Sequence, residues 1–347
     1  MESLTIAFLV LSFIVFYLGI GVWVFSGLLL VSITGLFLIL DMSFHRIGTI
    51  MAPLIIRSST SWELSAIPMF VWMGEIMFRT DISDRLFKGL SPLVHYLPGR
   101  LLHTNILGST LFAAVSGSSA ATTATVGKIT TTELLKRKYS ESLTFGSLAG
   151  AGSLGLLIPP SIVLIVYGVL AEVSISRLFA AGVYPGLLIA FLYSGYIIFR
   201  CAINPSLAPT KDEKPNLYAI IIGLLNLLPI TILIFIVLGA IYSGIATPSE
   251  AAAVGVFATF VLTVLTKQMS KKVFFDSLMA AVKTSCMIAS ILLAAAFLST
   301  SMAYLHVPQE VAAGISKLNL NSYETIFVLA IFYILLGLFL EGISITV

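Results

Sequence analysis

The sequence predicts an all-α, polytopic membrane protein whose helices break at membrane depth. Three observations carry that reading. The 347-residue chain is 58% hydrophobic and only 10% charged, with a mean hydropathy of +1.06, whereas a soluble domain carries about 25% charged residues. Long segments lack charge: residues 142–171 have none, and 101–127 have none with His103 neutral. Inside these segments lie two patches of glycine, proline and small hydroxyl residues. One is Ser116-Gly117-Ser118-Ser119-Ala120-Ala121-Thr122-Thr123-Ala124-Thr125-Val126-Gly127. The other is Ala149-Gly150-Ala151-Gly152-Ser153-Leu154-Gly155-Leu156-Leu157-Ile158-Pro159-Pro160-Ser161. In a bilayer, a backbone gives up its internal hydrogen bonds only where protein or a water-filled cavity replaces them. Two such patches within one 46-residue window predict discontinuous helices facing each other around a site.

Residues 3–40 are uncharged. As a single helix they would run about 57 Å, nearly twice a hydrocarbon core of about 30 Å. They must fold as two segments, with the break at Gly19-Ile20-Gly21. No basic region precedes them, so they do not read as a signal peptide. Residues 42–65 mix Arg46, Pro53, Arg57 and Glu63 with apolar residues and predict an interfacial helix. Residues 67–78 continue as a helix, and Glu75 within it and Arg79 just after it stand at i,i+4 spacing as a structural pair. Asp81 and Asp84 then open a helix carrying Leu86, Phe87 and Leu90, and Pro98-Gly99 ends it.

Residues 101–115 are too few for a full crossing. They run into the first patch, and 120–135 run out to Lys136-Arg137-Lys138. The pattern predicts a re-entrant hairpin over 101–138 with its tip at 116–120. Residues 142–171 then form a helix broken around 150–160. Residues 178–199 read as an ordinary span. Residues 204–216, with three prolines and Lys211-Asp212-Glu213-Lys214, form the most water-loving stretch and a linker. Residues 217–243 span again. Thr247-Pro248-Ser249-Glu250 has the form of a capping box opening the helix 251–266. A basic loop at 267–272, a span at 284–305, a polar connection at 306–322 and a descending segment at 325–340 complete the chain. The basic stretches 136–138, 200–214 and 267–272 can all lie on the cytoplasmic side. The hairpin then opens to the cytoplasm while 323–341 enters from the other face. Two re-entrant elements of opposite polarity mark inverted repeats.

The candidate ion- and substrate-binding residues follow from these breaks. They are Ser116, Gly117, Ser118, Ser119 and Thr122 in the first patch, and Gly150, Gly152, Gly155, Pro159, Pro160 and Ser161 in the second. Hydroxyls and freed carbonyls there suit a hard cation such as sodium, with Ser116, Ser118 and Ser119 as its candidate ligands, and half-helix starts suit a carboxylate. Each patch also has a plainer reading. The first is a small-residue face for close helix packing, and the second is a kinked helix without a ligand. Glu341, followed by Gly342 and Ser344, is a carboxylate at membrane depth, costly there and a functional candidate by default; its plainer reading is a residue near an interface.

Other chemistries are excluded. Gly127-Lys128 is no nucleotide loop, because Ile129 and Thr122 replace required residues. There is no HExxH, GxSxG or cysteine–histidine arrangement. Cys201 and Cys286 imply neither metal spacing nor a disulfide framework, and His45, His95, His103 and His306 are dispersed packing or interfacial residues. A net charge of +3, thinly scattered, makes nucleic acid no partner. No enzyme and no cofactor is expected, only coupling ions.

Several of these stretches carry a family resemblance. Phe70-Val71-Trp72-Met73-Gly74-Glu75-Ile76-Met77-Phe78-Arg79, residues 116–128, Leu154-Gly155-Leu156-Leu157-Ile158-Pro159-Pro160-Ser161-Ile162, Tyr167-Gly168 and Thr247-Pro248-Ser249-Glu250-Ala251-Ala252 resemble the large membrane subunit of TRAP transporters, the DctM-like permease. The resemblance covers essentially the whole chain. It implies an elevator-type secondary transporter of the bacterial inner membrane, coupled to sodium. It also implies a small four-helix membrane partner, and a periplasmic binding protein that delivers an organic acid such as a C4-dicarboxylate or sialic acid. Residues 1–96 and 174–303 would then be scaffold, 97–173 the first half of the transport domain, and 304–347 the start of the second hairpin. Rival readings are a stand-alone sodium/anion symporter of related architecture and a non-transporting membrane scaffold or fragment. Co-purification with a small subunit separates the first two, and sodium-dependent uptake separates both from the third.

Two departures stand out. Thr130-Thr131-Thr132-Glu133-Leu134 lacks a proline that many relatives place there. The family's second hairpin begins at a segment matching 337–342 here, and a return arm and a second broken helix with a Thr-Pro-Pro motif should follow. The expectation is therefore a chain truncated relative to the family. Such a chain should insert but neither transport nor stay stable until extended by roughly 80 residues, at about 20 per crossing. Thermal stability and sodium-driven uptake, measured beside an extended version, check this, and equal values in the two would refute it.

Overall fold

The computed structural model describes residues 3–209, 215–318, 320–338 and 342–346. Among them the regular structure is helical, with no strand. The chain divides into two compact units, one of residues 62–285 and one combining 1–61 with 286–347.

In the second unit the uncharged N-terminal stretch folds as α1 (Ser3–Gly19) and α2 (Val24–Leu40). The turn between them uses Gly21 at φ +82°, a left-handed conformation that glycine adopts without cost. Ser43 caps α3 (Phe44–Ser59) by accepting from the Arg46 amide. Leu36, Met42, Ile47 and Phe297 form one small core, and Val10, Val31 and Leu305 another. Helix α14 (Lys271–Tyr304) is divided between the two units.

At α14 the sequence reading needs correcting. The helix begins at Lys271 rather than 284, so the expected basic loop loses Lys271 and Lys272 to it. Ser270 supplies the start signal, its hydroxyl accepting from the Val273 amide at 3.1 Å, and lysine is a good helix former. A second correction concerns the expected polar connection at 306–322, which holds a helix, α15 (Val307–Lys317), with a proline in its first turn. Proline is favoured there because the missing N–H would have no helical acceptor. Helix α16 (Ser322–Gly337) opens with a capping box from Asn321 and Glu324. The short α17 (Gly342–Thr346) follows.

The unit 62–285 contains α4 (Ala66–Phe78), α5 (Ile82–Val94), α6 (His103–Ser116), α7 (Ser119–Lys136), α8 (Glu141–Gly152), α9 (Leu154–Leu157), α10 (Ile162–Leu170), α11 (Ile175–Ile203), α12 (Leu217–Tyr242) and α13 (Pro248–Leu265). The expected capping box is present at α13, where Thr247 and Glu250 satisfy each other's backbone amides. Glu75 and Arg79 pair at 3.3 Å. His103 is fully buried, with one ring nitrogen 2.8 Å from the Pro98 carbonyl and the other 3.3 Å from the Ser194 hydroxyl. It is a packed histidine, consistent with the plainer of its two readings. The charged centre of the linker, residues 210–214, lies outside the described residues.

Among the described residues, five stretches are long and apolar enough to cross a membrane: Glu141–Leu170, Ile175–Ile203, Leu217–Tyr242, Pro248–Leu265 and Lys271–Tyr304. The first comprises α8, α9 and α10. Large apolar side chains stand outward on these helices, as at Tyr184, Phe191 and Phe235. In water such faces would be a liability, and in hydrocarbon they are the expected exterior.

Glycine lets α5 and α12 approach each other closely in this unit. At Gly89 of α5 an added Cβ would lie 2.7 Å from the Leu227 side chain and 2.9 Å from the Gly223 carbonyl of α12. At Gly239, further along α12, nothing lies within 4 Å. Replacing Gly89 with alanine should therefore cost about 1–3 kcal/mol through overpacking, while Gly239→Ala should be neutral or stabilising. Thermal unfolding in detergent distinguishes the two. Equal midpoints would show that α5 and α12 are not held this closely.

Candidate functional site

The first patch folds as a hairpin tip because glycine and serine occupy its two turning positions. Gly117 ends α6 in the left-handed conformation, φ +61°, and its amide bonds back to the Ala113 carbonyl at 3.0 Å. Ser118 is extended and caps α7, its hydroxyl accepting from the Ala121 amide at 3.4 Å. The Ser116 hydroxyl is buried and shares a 2.9 Å hydrogen bond with Thr122 Oγ1. A left-handed glycine followed by an extended serine reverses the chain in two residues, and α7 then packs back along α6.

The second patch folds as a broken helix. Helix α8 ends at Gly152, α9 is a single turn, and residues 158–161 run without helical structure into α10. Pro159 and Pro160, joined by a cis peptide bond, supply no amide hydrogens to continue the ladder. Ser161 is fully buried, and its hydroxyl reaches back across the break to the Leu156 carbonyl at 2.6 Å. That bond leaves the start of α10 without a side-chain cap.

The two patches meet. The Ile162 amide donates to the Gly117 carbonyl at 3.1 Å, so the first turn of α10 is tied to the hairpin tip. A Cβ on Gly117 would approach the Pro160 carbonyl to 2.7 Å, and one on Gly155 would sit 2.6 Å from the Ser118 carbonyl. A Cβ on Gly152 would collide with the Thr123 hydroxyl. Of the candidate residues, Ser116, Gly117, Ser118, Ser119 and Thr122 therefore lie on one side of this junction. Gly152, Gly155, Pro159, Pro160 and Ser161 lie on the other. Gly150 is one turn away, its carbonyl accepting from Ser153 Oγ at 2.7 Å. Glu341 lies outside the described residues. Gly342 and Ser344 fall within α17, of which the Ser344 side chain is likewise outside the description.

Sequence reasoning missed the residues that back the junction. The segment read as an ordinary span contains Gly182 and Gly186 on α11, four apart and so on one face. A Cβ at Gly182 would meet the Leu157 carbonyl at 2.7 Å, and one at Gly186 the Ile158 side chain at 2.7 Å. Gly74 of α4 also stands close to the tip, its built Cβ 3.0 Å from the Ser116 Cα. The G-x-x-x-G spacing at 182–186 was the available signal, since small residues at that spacing let membrane helices touch.

The chemistry on offer is that of half-helix ends. The starts of α7 and α10 converge with positive dipole ends, which suit an anion. The same place presents hydroxyls and the terminal carbonyls of α6 and α9, which suit a hard cation. Among the described residues no group of three His, Cys, Asp or Glu could hold a metal ion, so hydroxyl and carbonyl oxygens are the ligands available.

The junction generates a direct expectation. In a Gly155→Ala variant the added methyl presses on the Ser118 backbone, and overpacking of about 1–3 kcal/mol should loosen the tie to the hairpin. Amide exchange at Ile162 should rise about tenfold, read by hydrogen–deuterium exchange. Gly146→Ala, where nothing lies within 4 Å, should leave it unchanged. Slow exchange at Ile162 in both variants would mean the tip and break are held together by something else.

Comparison with known proteins adds a second, independent line. The pattern of the family described as "Tripartite ATP-independent periplasmic transporter, DctM component" matches residues 10–347. The chain is 35% identical over 292 residues to the C4-dicarboxylate TRAP transporter large permease protein DctM of Pseudomonas aeruginosa, covering 82% of this chain and 66% of that protein. It is 30% identical over 289 residues to the sialic acid TRAP transporter large permease protein SiaM of Vibrio cholerae, with the same coverage. It is 31% identical over 282 residues to the ectoine/5-hydroxyectoine TRAP transporter large permease protein UehC of Ruegeria pomeroyi, covering 81% and 65%. The chain thus spans about two thirds of the length of these relatives.

Proposed function

The chain belongs to the DctM component family of tripartite ATP-independent periplasmic transporters, and from that membership we propose that it serves as the large permease subunit of a sodium-coupled importer of a small organic acid. Its place is the bacterial inner membrane. Its partners are a small four-helix membrane subunit and a periplasmic binding protein that delivers the acid. The family consists of transporter permease subunits, not enzymes.

The observation that carries the proposal is the junction of two discontinuous helices, where the Ile162 amide bonds to the Gly117 carbonyl. Uncapped N–H groups at the start of α10 would meet the carboxylate of the cargo. Ser116, Ser118 and Ser119, with neighbouring carbonyls, would hold sodium. Sodium screens the carboxylate, so each ion makes the other cheaper to hold at membrane depth, and the two are coupled. One sodium ion moving inward contributes about 2.3 kcal/mol per 100 mV of membrane potential. The conformational step is an elevator movement of the transport domain (97–173 in this chain, with the start of its counterpart at 304–347) against scaffold residues 1–96 and 174–303. Inverted repeats would give the site equivalent access from both sides.

What supports an acid as cargo is twofold. The half-helix starts have the polarity that favours anions. Relatives are named for C4-dicarboxylate and sialic acid transport, although one is named for ectoine. Selection among acids rests on the binding protein in this reading.

Two measurements test it. Uptake in proteoliposomes, with the full-length protein and its partners, should collapse when sodium is replaced by potassium. Persistence in potassium, or a need for ATP, would defeat the proposal. Ser119 is half-buried, one residue past the cap. Ser119→Ala should raise the sodium concentration for half-maximal uptake several-fold, at the scale of one lost oxygen ligand worth about 1 kcal/mol. An unchanged sodium dependence would remove Ser119 from the site.

A further inference from the structure

We propose that a cavity of about 920 Å³ between α5, α7 and the start of α12 binds the phosphate headgroup of an anionic membrane phospholipid. The cavity lies within the unit 62–285 and shares no residue with the hairpin junction. Its size is at the upper end of the range for ligand pockets, about 300–1,000 Å³.

The cavity's charges do not cancel internally. Glu133 and Arg137, one turn apart on α7, pair with each other at 3.5 Å. That leaves Lys88 and Arg100 facing a single carboxylate, Asp84, and none of these three takes part in an ion pair among the described residues. Arg100 is the sharper observation. It follows Gly99 at φ +96° and itself sits at φ +42°, a conformation that non-glycine residues adopt only at a cost. A Cβ at Gly99 would run into Ile197, so packing fixes the turn that aims this side chain. Its Nη1 atom is screened from solvent and has no hydrogen-bond partner. A guanidinium nitrogen withheld from both water and protein is expensive, and an oxyanion is the acceptor that its fork geometry fits best.

The remaining wall selects a lipid over a free anion. Phe87 and Leu101 line the inner side and are buried. Tyr218 and Ile222 line the outer side yet are 70% and 38% exposed, on a helix long and apolar enough to span the bilayer. The cavity thus opens on a face that meets acyl chains, with its cationic groups set behind an apolar mouth. Arg137 lies within the basic run 136–138, and Pro215 belongs to the linker that follows Arg200. The positive-inside rule therefore assigns the lipid to the cytoplasmic leaflet. Seated there, it would brace the second arm of the hairpin against α12.

The test is thermal unfolding of the purified protein in a phosphate-free detergent, titrated with dioctanoyl phosphatidylglycerol. The midpoint should rise by a few degrees as the site fills. Dioctanoylglycerol, which lacks the phosphate, and inorganic phosphate, which lacks the chains, should each leave it unchanged. Arg100→Gln should raise the lipid concentration for half the effect about tenfold, the loss of one charge-assisted hydrogen bond. Lys88→Gln, at an exposed position, should weaken binding without disturbing the fold and decides the matter if Arg100→Gln does not fold. Wild-type titration in both variants, or an equal rise with dioctanoylglycerol, would overturn the proposal. An equal rise with inorganic phosphate would also overturn it and leave a plain anion site.

Discussion

The hydrogen bond from the Ile162 amide to the Gly117 carbonyl joins two places where the chain abandons its helix. In a bilayer that abandonment is permitted only if the freed backbone groups find partners in protein. Here the tip and the break serve as partners for each other. Ser118 caps α7, Ser116 and Thr122 share their hydroxyls, and Ser161 returns its hydroxyl to the Leu156 carbonyl. Each bond removes one buried polar debt of a few kcal/mol. The start of α10 is left without a side-chain cap.

Such mutual satisfaction needs backbones in near contact, and this explains the glycines around the junction. Hydrocarbon offers no hydrophobic drive for helices to associate, so dispersion between closely approaching backbones must supply it. Gly74, Gly155, Gly182 and Gly186 stand where a methyl would strike the tip, the break or the segment leading into it. The same device appears at Gly89 and Gly223, where α5 meets α12. Close packing inside goes with an exterior of bulky apolar side chains, since lipid is the solvent there. Near helix ends, Asp81–Arg85 and Glu133–Arg137 form i,i+4 pairs. Exposed pairs of this kind contribute a few tenths of a kcal/mol, so they mark boundaries more than they hold the fold.

By itself the sequence determined the helical membrane class, the two breaks at 116–120 and 150–160, the N-terminal division near Gly19, and the capping box at Thr247. All of these rest on local chemistry: hydropathy, proline's missing amide, glycine's left-handed freedom and a capping residue three positions from its glutamate. Residues 70–79, 116–128 and 154–162 also carried the family. The tertiary structure decided what touches what. That the tip bonds the break through Gly117 and Ile162, that Gly182 and Gly186 receive the broken segment, and that Ser118 spends its hydroxyl on a cap are contacts between distant stretches or choices among rival hydrogen bonds. Period and composition do not encode them. The helix at 307–317 was missed for a related reason. Its polar composition matches a loop, and Pro308 in the first turn acts as a helix starter.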